Sequence, residues 1–203
     1  EAMAGLLGQE GMAATDDPAQ ANLLIVNTCA FIGDAKEESV DAILDLARAR
    51  RPGQRLVVTG CLYQRYGEEL AKELPEVDAF VGTGSVAHIV DATKGLAREY
   101  REGDVFLGGV STPRARLDAT HVAYAKIGDG CDRRCAFCAI PLFKGRQQSL
   151  PGAEVAAEVA RLTTLGAREI VLVAQDTSAW GHDLEPREGL ADLLDRLEAV
   201  PGY

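Results

Sequence analysis

Short apolar runs alternate with amphipathic stretches along most of the chain, and this constrains the fold more than any other feature. Residues 22–27 (NLLIVN), 55–59 (RLVVT) and 79–81 (AFV) read as strands of the buried type. The stretches between and after them carry helical spacing. Val40, Ile43, Leu44 and Ala47 fall at i, i+3, i+4 and i+7, and Pro52-Gly53 closes that segment. Asp34 with Glu37 three residues on has the pattern of a capping box. Further helices are expected over 2–9, 64–74 and 85–98. Strands separated by helices must pair in parallel, because only a crossover of that length returns the chain in the same direction. An α/β fold follows, with a parallel sheet between helical layers: a three-layer domain over residues 1–100.

The character changes over residues 101–117. Gly103, Gly108-Gly109 and Pro113 interrupt them and no helical period survives, so they read as a linker with one short strand at 105–107. The alternation then restarts. Strands are expected at 121–127 and 169–174, with helices after Pro151 and over 190–200. Pro151 suits a first helical turn, Val155, Val159 and Leu162 share one face, and Gly166 suits a C-terminal stop. Two such β/α units over 118–203 read as the start of a larger parallel barrel or half-barrel. The chain opens on Glu1 without a basic start and stops after a helical pattern, so both ends read as cut from a longer protein.

Composition narrows the function classes. The formal charge of −10 opposes a phosphate backbone, so this fragment is not expected to bind nucleic acid directly. No apolar run approaches the length needed to cross a bilayer, so no membrane partner is expected. Five cysteines, an odd number without a secretory leader, point to a reducing compartment, the cytoplasm, and to metal or catalytic thiols.

All five cysteines follow expected strands: Cys29 after 22–27, Cys61 after 55–59, and Cys131, Cys135 and Cys138 in one loop after 121–127. Parallel sheets place their sites beyond the carboxyl ends of their strands. A single buried cysteine is often only a small hydrophobe, but five in one topological position are harder to read that way. Cys131-Asp132-Arg133-Arg134-Cys135-Ala136-Phe137-Cys138 spaces its thiols C-x₃-C-x₂-C. Three thiolates so close can hold three irons of a four-iron cluster and leave the fourth open to a small ligand. The alternative is a zinc-binding interaction module closed by a distant histidine, His121 or His182.

With Phe137 before the last cysteine, this motif resembles the radical S-adenosylmethionine (SAM) superfamily. Gly130 before the loop, and Ala139-Ile140-Pro141 with Lys144-Gly145 after it, resemble its methylthiotransferase family. So do Asn27-Thr28-Cys29-Ala30-Phe31-Ile32, Ala35-Lys36-Glu37-Glu38-Ser39 and Thr59-Gly60-Cys61, and the likeness covers effectively the whole chain. The resemblance implies a radical SAM barrel after the first domain. It implies a 4Fe-4S cluster on Cys131, Cys135 and Cys138, with SAM bound at the open iron. A second 4Fe-4S cluster is implied on Cys29, Cys61 and a third cysteine upstream of residue 1. Phe137, Gln175 and Asp176 are the implied cofactor-binding residues, the last two at the strand end where relatives contact the SAM amino group. The run Gln175-Asp176-Thr177 with Gly181 and Asp183 is similar to members that methylthiolate an aspartate β-carbon in small-ribosomal-subunit protein twelve. The tRNA-adenosine members are the alternative. The implied partners are that ribosomal protein and an electron-donor protein. Trp180 stands where the family has tyrosine and Leu150 where it commonly has arginine.

Other features carry less. Gly82-Thr83-Gly84-Ser85 imitates a phosphate loop without its lysine, and reads better as a turn with Ser85 as a helix cap. His88 and His121 have no catalytic partners in the sequence. Lys144 and Arg146 read either as contacts for the SAM carboxylate or an acidic substrate, or as a solvated pair. Arg133 and Arg134 read either as a positive charge on the cluster or as solubilising side chains.

Overall fold

The computed structural model describes residues 1–103, 105–115 and 121–202. The first half is a four-stranded parallel sheet, in the order β1 (Leu23–Thr28), β2 (Arg55–Gly60), β3 (Ala79–Val81), β4 (Glu99–Tyr100). Its register runs from Leu23 opposite Arg55 to Thr28 opposite Gly60, then Val57 opposite Ala79 and Phe80 opposite Glu99.

Alternate side chains go to opposite faces, and both faces are covered. Leu24, Val26, Leu56, Val58 and Phe80 pack under α2 (Gly33–Ala49), α3 (Cys61–Tyr66) and α4 (Glu68–Glu73). Val57, Ala79 and Val81 pack under α1 (Ala2–Gln9) and α5 (Ile89–Lys94). Burial on both sides is why these strands read as continuous apolar runs. The expected three-layer α/β arrangement is present.

The second half pairs β5 (Val122–Lys126) in parallel with β8 (Glu169–Val173). The crossover is α7 (Gly152–Thr164), and α8 (Leu190–Glu198) follows β8. Ala123, Ala125, Val155, Val159, Leu162, Leu193, Leu197 and the fully buried Trp180 form their common core. A small antiparallel pair, β6 (Gly128–Asp129) and β7 (Gln148–Ser149), closes the base of the three-cysteine loop, which carries α6 (Ile140–Lys144). Arg114 ties the halves together. Its guanidinium donates to Glu1, to Glu158 at 2.6 Å and to the Tyr124 carbonyl at 2.9 Å.

Several local expectations need correction. The helix after β1 is capped at Ile32 without a side-chain bond, so Asp34 and Glu37 form no capping box and Asp34 sits in the first turn. The segment 64–74 is two helices broken at Gly67, where φ is +52° and the Arg101 guanidinium occupies the place of a side chain. The segment 85–98 is a 3₁₀ turn (Val86–His88) and α5, after which the chain turns into β4. The buried Ser85 does not cap: its hydroxyl accepts from the Glu102 amide at 2.7 Å and donates to the Glu102 carbonyl. Residues 105–107 form no strand. Pro151 is the N-cap of α7 rather than its first helical residue. The boundary expected at 117/118 lies outside the described residues.

Candidate metal-cluster and substrate site

Cys29 leaves the carboxyl end of β1 and Cys61 begins α3 directly after β2. Two details hold these ends together. The Thr28 hydroxyl donates to the Thr59 carbonyl at 2.6 Å and accepts from the Leu62 amide at 3.3 Å. Gly60 has φ +104°, and a Cβ there would lie 2.5 Å from the Thr28 carbonyl oxygen, so only glycine lets the strands approach. Ser39 of α2 receives the Cys29 amide at 3.1 Å while donating to the Ala35 carbonyl at 2.7 Å. Both thiols border one cavity of about 440 Å³. Its opposite wall is the stretch from Phe106 to Val110 together with Lys126 and Lys144. Burial pushes the Cys61 thiol up, against the pull of the Lys144 ammonium.

The three-cysteine loop borders a separate, open cavity of about 740 Å³, lined by all three of Cys131, Cys135 and Cys138. Cys131 is buried, Cys138 half-buried and Cys135 exposed. The Cys131 amide donates to Gly145 at 3.1 Å, and the Cys138 amide to Cys135 at 3.1 Å. Gly130, at φ +72°, passes so close to the Arg146 carbonyl that a Cβ would stand 2.0 Å from its oxygen. Asp132 accepts from the Gln147 amide at 3.2 Å. Hydrogen bonds from that amide and the Arg146 guanidinium hold its carboxyl below the usual range.

The other expected cofactor residues lie outside this cavity's lining. Phe137 is 87% exposed and Gln175 is exposed. Asp176 reaches the loop through Arg133, whose Nε donates to it at 2.6 Å, and it accepts from the Ser178 hydroxyl at 2.6 Å. Leu150 and Trp180 are core residues joined by a 3.1 Å bond from the indole N–H to the Leu150 carbonyl. Lys144 faces the Cys29/Cys61 cavity, where it binds Asp129 at 2.9 Å, rather than the three-cysteine cavity. Sequence reasoning missed this buried Asp129 and its second partner, Lys126 at 2.5 Å. The available signal was an aspartate between two glycines directly before the cysteine loop.

Among the described residues, no three His, Cys, Asp or Glu side chains converge on a point to hold one metal ion. Three thiols lining one cavity are the donor set an iron–sulfur cube takes, each thiolate on a different iron. A closed zinc site would need a fourth ligand. His121 precedes β5, at the end of that strand away from the loop, and neither His121 nor His182 borders the cavity.

Residues 1–82 match the model of a family described as Uncharacterized protein family UPF0004. Across 98% of its length the chain is 46% identical to a protein of Myxococcus xanthus (strain DK1622) named ribosomal protein uS12 methylthiotransferase RimO, of which it covers 43%. Proteins of the same name from Anaeromyxobacter sp. (strain K) and Desulforudis audaxviator (strain MP104C) are 48% and 45% identical over all of this chain, which covers 44% and 46% of them. The chain resembles these methylthiotransferases throughout, and spans less than half the length of each.

Proposed function

We propose that this chain is part of a radical SAM methylthiotransferase that modifies an aspartate of ribosomal protein uS12. Residues 1–100 are read as the domain of one cluster, 101–117 as a linker, and 118–203 as the start of the radical SAM core. The observation that carries the reading is the sorting of five strand-end thiols into two cavities, Cys29 with Cys61 and Cys131 with Cys135 and Cys138. Similarity along effectively the whole chain to under half the length of proteins named for this activity supports it.

When bound, two 4Fe-4S clusters and SAM supply the electron, the carbon-centred radical, and the sulfur and methyl groups. The chain supplies position. Cys131, Cys135 and Cys138 would hold the SAM-binding cluster at its open cavity, and Cys29 and Cys61 two corners of the other. The bonds from Cys131 to Gly145 and from Arg133 to Asp176 fix both sides of the loop, so the thiols are set before a ligand arrives. Phe137 and Gln175 stand free beside that loop and strand end, open to a cofactor. The enzyme is expected in the cytoplasm, with an electron-donor protein as second partner.

The test is anaerobic reconstitution of the full-length protein, with iron and sulfide counted and mass spectrometry of uS12 and of tRNA. Iron and sulfide for two clusters with mass added to the uS12 aspartate is the expected result. Modified tRNA beside untouched uS12, or zinc without sulfide, overturns it.

A further inference from the structure

We propose that Lys144 and Lys126, joined through Asp129, form a carboxylate receptor on the wall of the Cys29/Cys61 cavity, one that takes the acidic side chain of the protein substrate. The anion site is argued from geometry. The identity of its ligand rests on the methylthiotransferase reading above.

The first argument is charge. Asp129 is 2% exposed and its Oδ2 meets both ammonium groups, Lys126 at 2.5 Å and Lys144 at 2.9 Å. One carboxylate shared by two lysines leaves a surplus positive charge. Two of the acidic residues bordering the same cavity are taken up by other cations. Glu1 and Glu158 are both paired with Arg114, and Glu158 also receives Arg161 at 2.8 Å. Glu154 stands beside Gly109 of the opposite stretch.

The second argument is donors. An ammonium group has three N–H donors. Lys144 uses one on Asp129; Lys126 uses one on Asp129 and one on the Phe106 carbonyl at 2.8 Å. Among the described residues, the other three donors on these half-buried groups at the cavity wall meet no acceptor. A carboxylate supplies two acceptor oxygens and the missing charge together, which makes such bonds stronger than neutral ones.

The third argument is position. Lys126 and Lys144 border the same cavity as Cys29 and Cys61. The carbon to be modified is one bond from the carboxylate carbon of an aspartate. A receptor for that carboxylate would hold the reacting carbon at a fixed place beside Cys29 and Cys61, and such orientation accelerates a transfer.

The test compares affinities of the full-length, cluster-loaded enzyme for two peptides, one with the substrate aspartate and one with asparagine in its place, by fluorescence anisotropy. The wild type is expected to prefer the aspartate peptide by about tenfold or more. Lys144→Met should abolish that preference and Lys144→Arg restore most of it. Because Lys144→Met leaves Asp129 short of a partner, a Lys144→Met/Asp129→Asn double variant is measured beside it, with iron content as the check on folding. A purely structural lysine would weaken both peptides equally. Preference retained in the folded variants overturns the receptor, and so does its absence from the wild type. A tenfold loss of SAM affinity with the peptide preference intact assigns the carboxylate to SAM, and overturns it too. Failure of the wild type to modify uS12 sinks the substrate reading and this inference together; normal modification with unchanged discrimination sinks the receptor alone.

Discussion

Replacing Gly60 with alanine tests how the strand ends carry the cysteines, and Gly53→Ala serves as its reference. Both glycines have positive φ, +104° and +90°. An L-residue pays a backbone cost at both sites, about 1–3 kcal/mol at Gly60, whose φ +104° and ψ −161° lie in a region essentially confined to glycine. The sites differ in what a methyl group would meet. At Gly53 nothing lies within 4 Å, whereas at Gly60 the Thr28 carbonyl oxygen is at 2.5 Å and the Asn27 Oδ1 at 2.8 Å. To admit the methyl group, β1 and β2 must part at the Thr28–Gly60 pair. That opening breaks the buried Thr28 hydroxyl bonds to the Thr59 carbonyl and from the Leu62 amide. At about 1 kcal/mol each, with part of the desolvation penalty left behind, the added cost is roughly 2–3 kcal/mol. For a chain of this size that difference is roughly 5–10 °C in Tm. Calorimetry of both variants reads the difference directly. Iron retention on Cys29 and Cys61 should fall in Gly60→Ala alone. Equal melting temperatures in the two variants refute the argument that close approach, rather than backbone conformation, demands glycine at 60.

Three other perturbations have defined outcomes. Trp180→Phe leaves the buried Leu150 carbonyl without its 3.1 Å indole donor and should cost about 1–3 kcal/mol in denaturant unfolding; a loss below about 0.5 kcal/mol contradicts the assignment. Glu158→Ala removes the carboxylate of Arg161 and one of three partners of Arg114, which keeps Glu1 and the Tyr124 carbonyl, and should cost about 1–2 kcal/mol, discounted because Arg161 is partly exposed, with Glu158→Gln intermediate. The Ser178 hydroxyl and then the Arg133 guanidinium hold the Asp176 carboxyl below the usual carboxylate range. Its bond to the cysteine loop is therefore complete above the ordinary value of about 3.9 and is lost as pH falls through the depressed one. Carboxyl chemical shifts should show a midpoint under 3.9 that Arg133→Gln raises, and a midpoint unaffected by that change argues against the loop contact.

The strands that could be read from sequence are those with a period. β1, β2, β3, β5 and β8 carry apolar residues on both faces or toward a covering helix, so composition alone marks them. β4, β6 and β7 have two residues each, too few for any period, and exist through their neighbours. β4 falls where a helix was expected because Gly95, left-handed at φ +73°, ends α5, after which Arg98 anchors the chain by donating to the Ala71 and Leu74 carbonyls. The break between α3 and α4 was hidden because the apolar spacing of 64–74 continues across Gly67. The cysteine positions were legible, since a thiol directly after a strand needs no tertiary knowledge to place. The partners of Asp129 were not. They come from the end of β5 and the end of the short helix α6, 18 residues apart in sequence, and meet on a side chain of β6.

That meeting also explains why two sets of thiols on different sheets belong to one machine. Lys144 follows Cys138 by six residues and ends α6, yet it borders the cavity of Cys29 and Cys61. Its neighbour Gly145 accepts the Cys131 amide, and its amine holds Asp129, just ahead of the loop. The helix end thus touches the start of the three-cysteine loop on one side and forms a wall of the other cavity on the other. Two independent metal sites would need no such shared element. The methylthiotransferase proposed above would use one, because its substrate has to be held at a fixed place with respect to both.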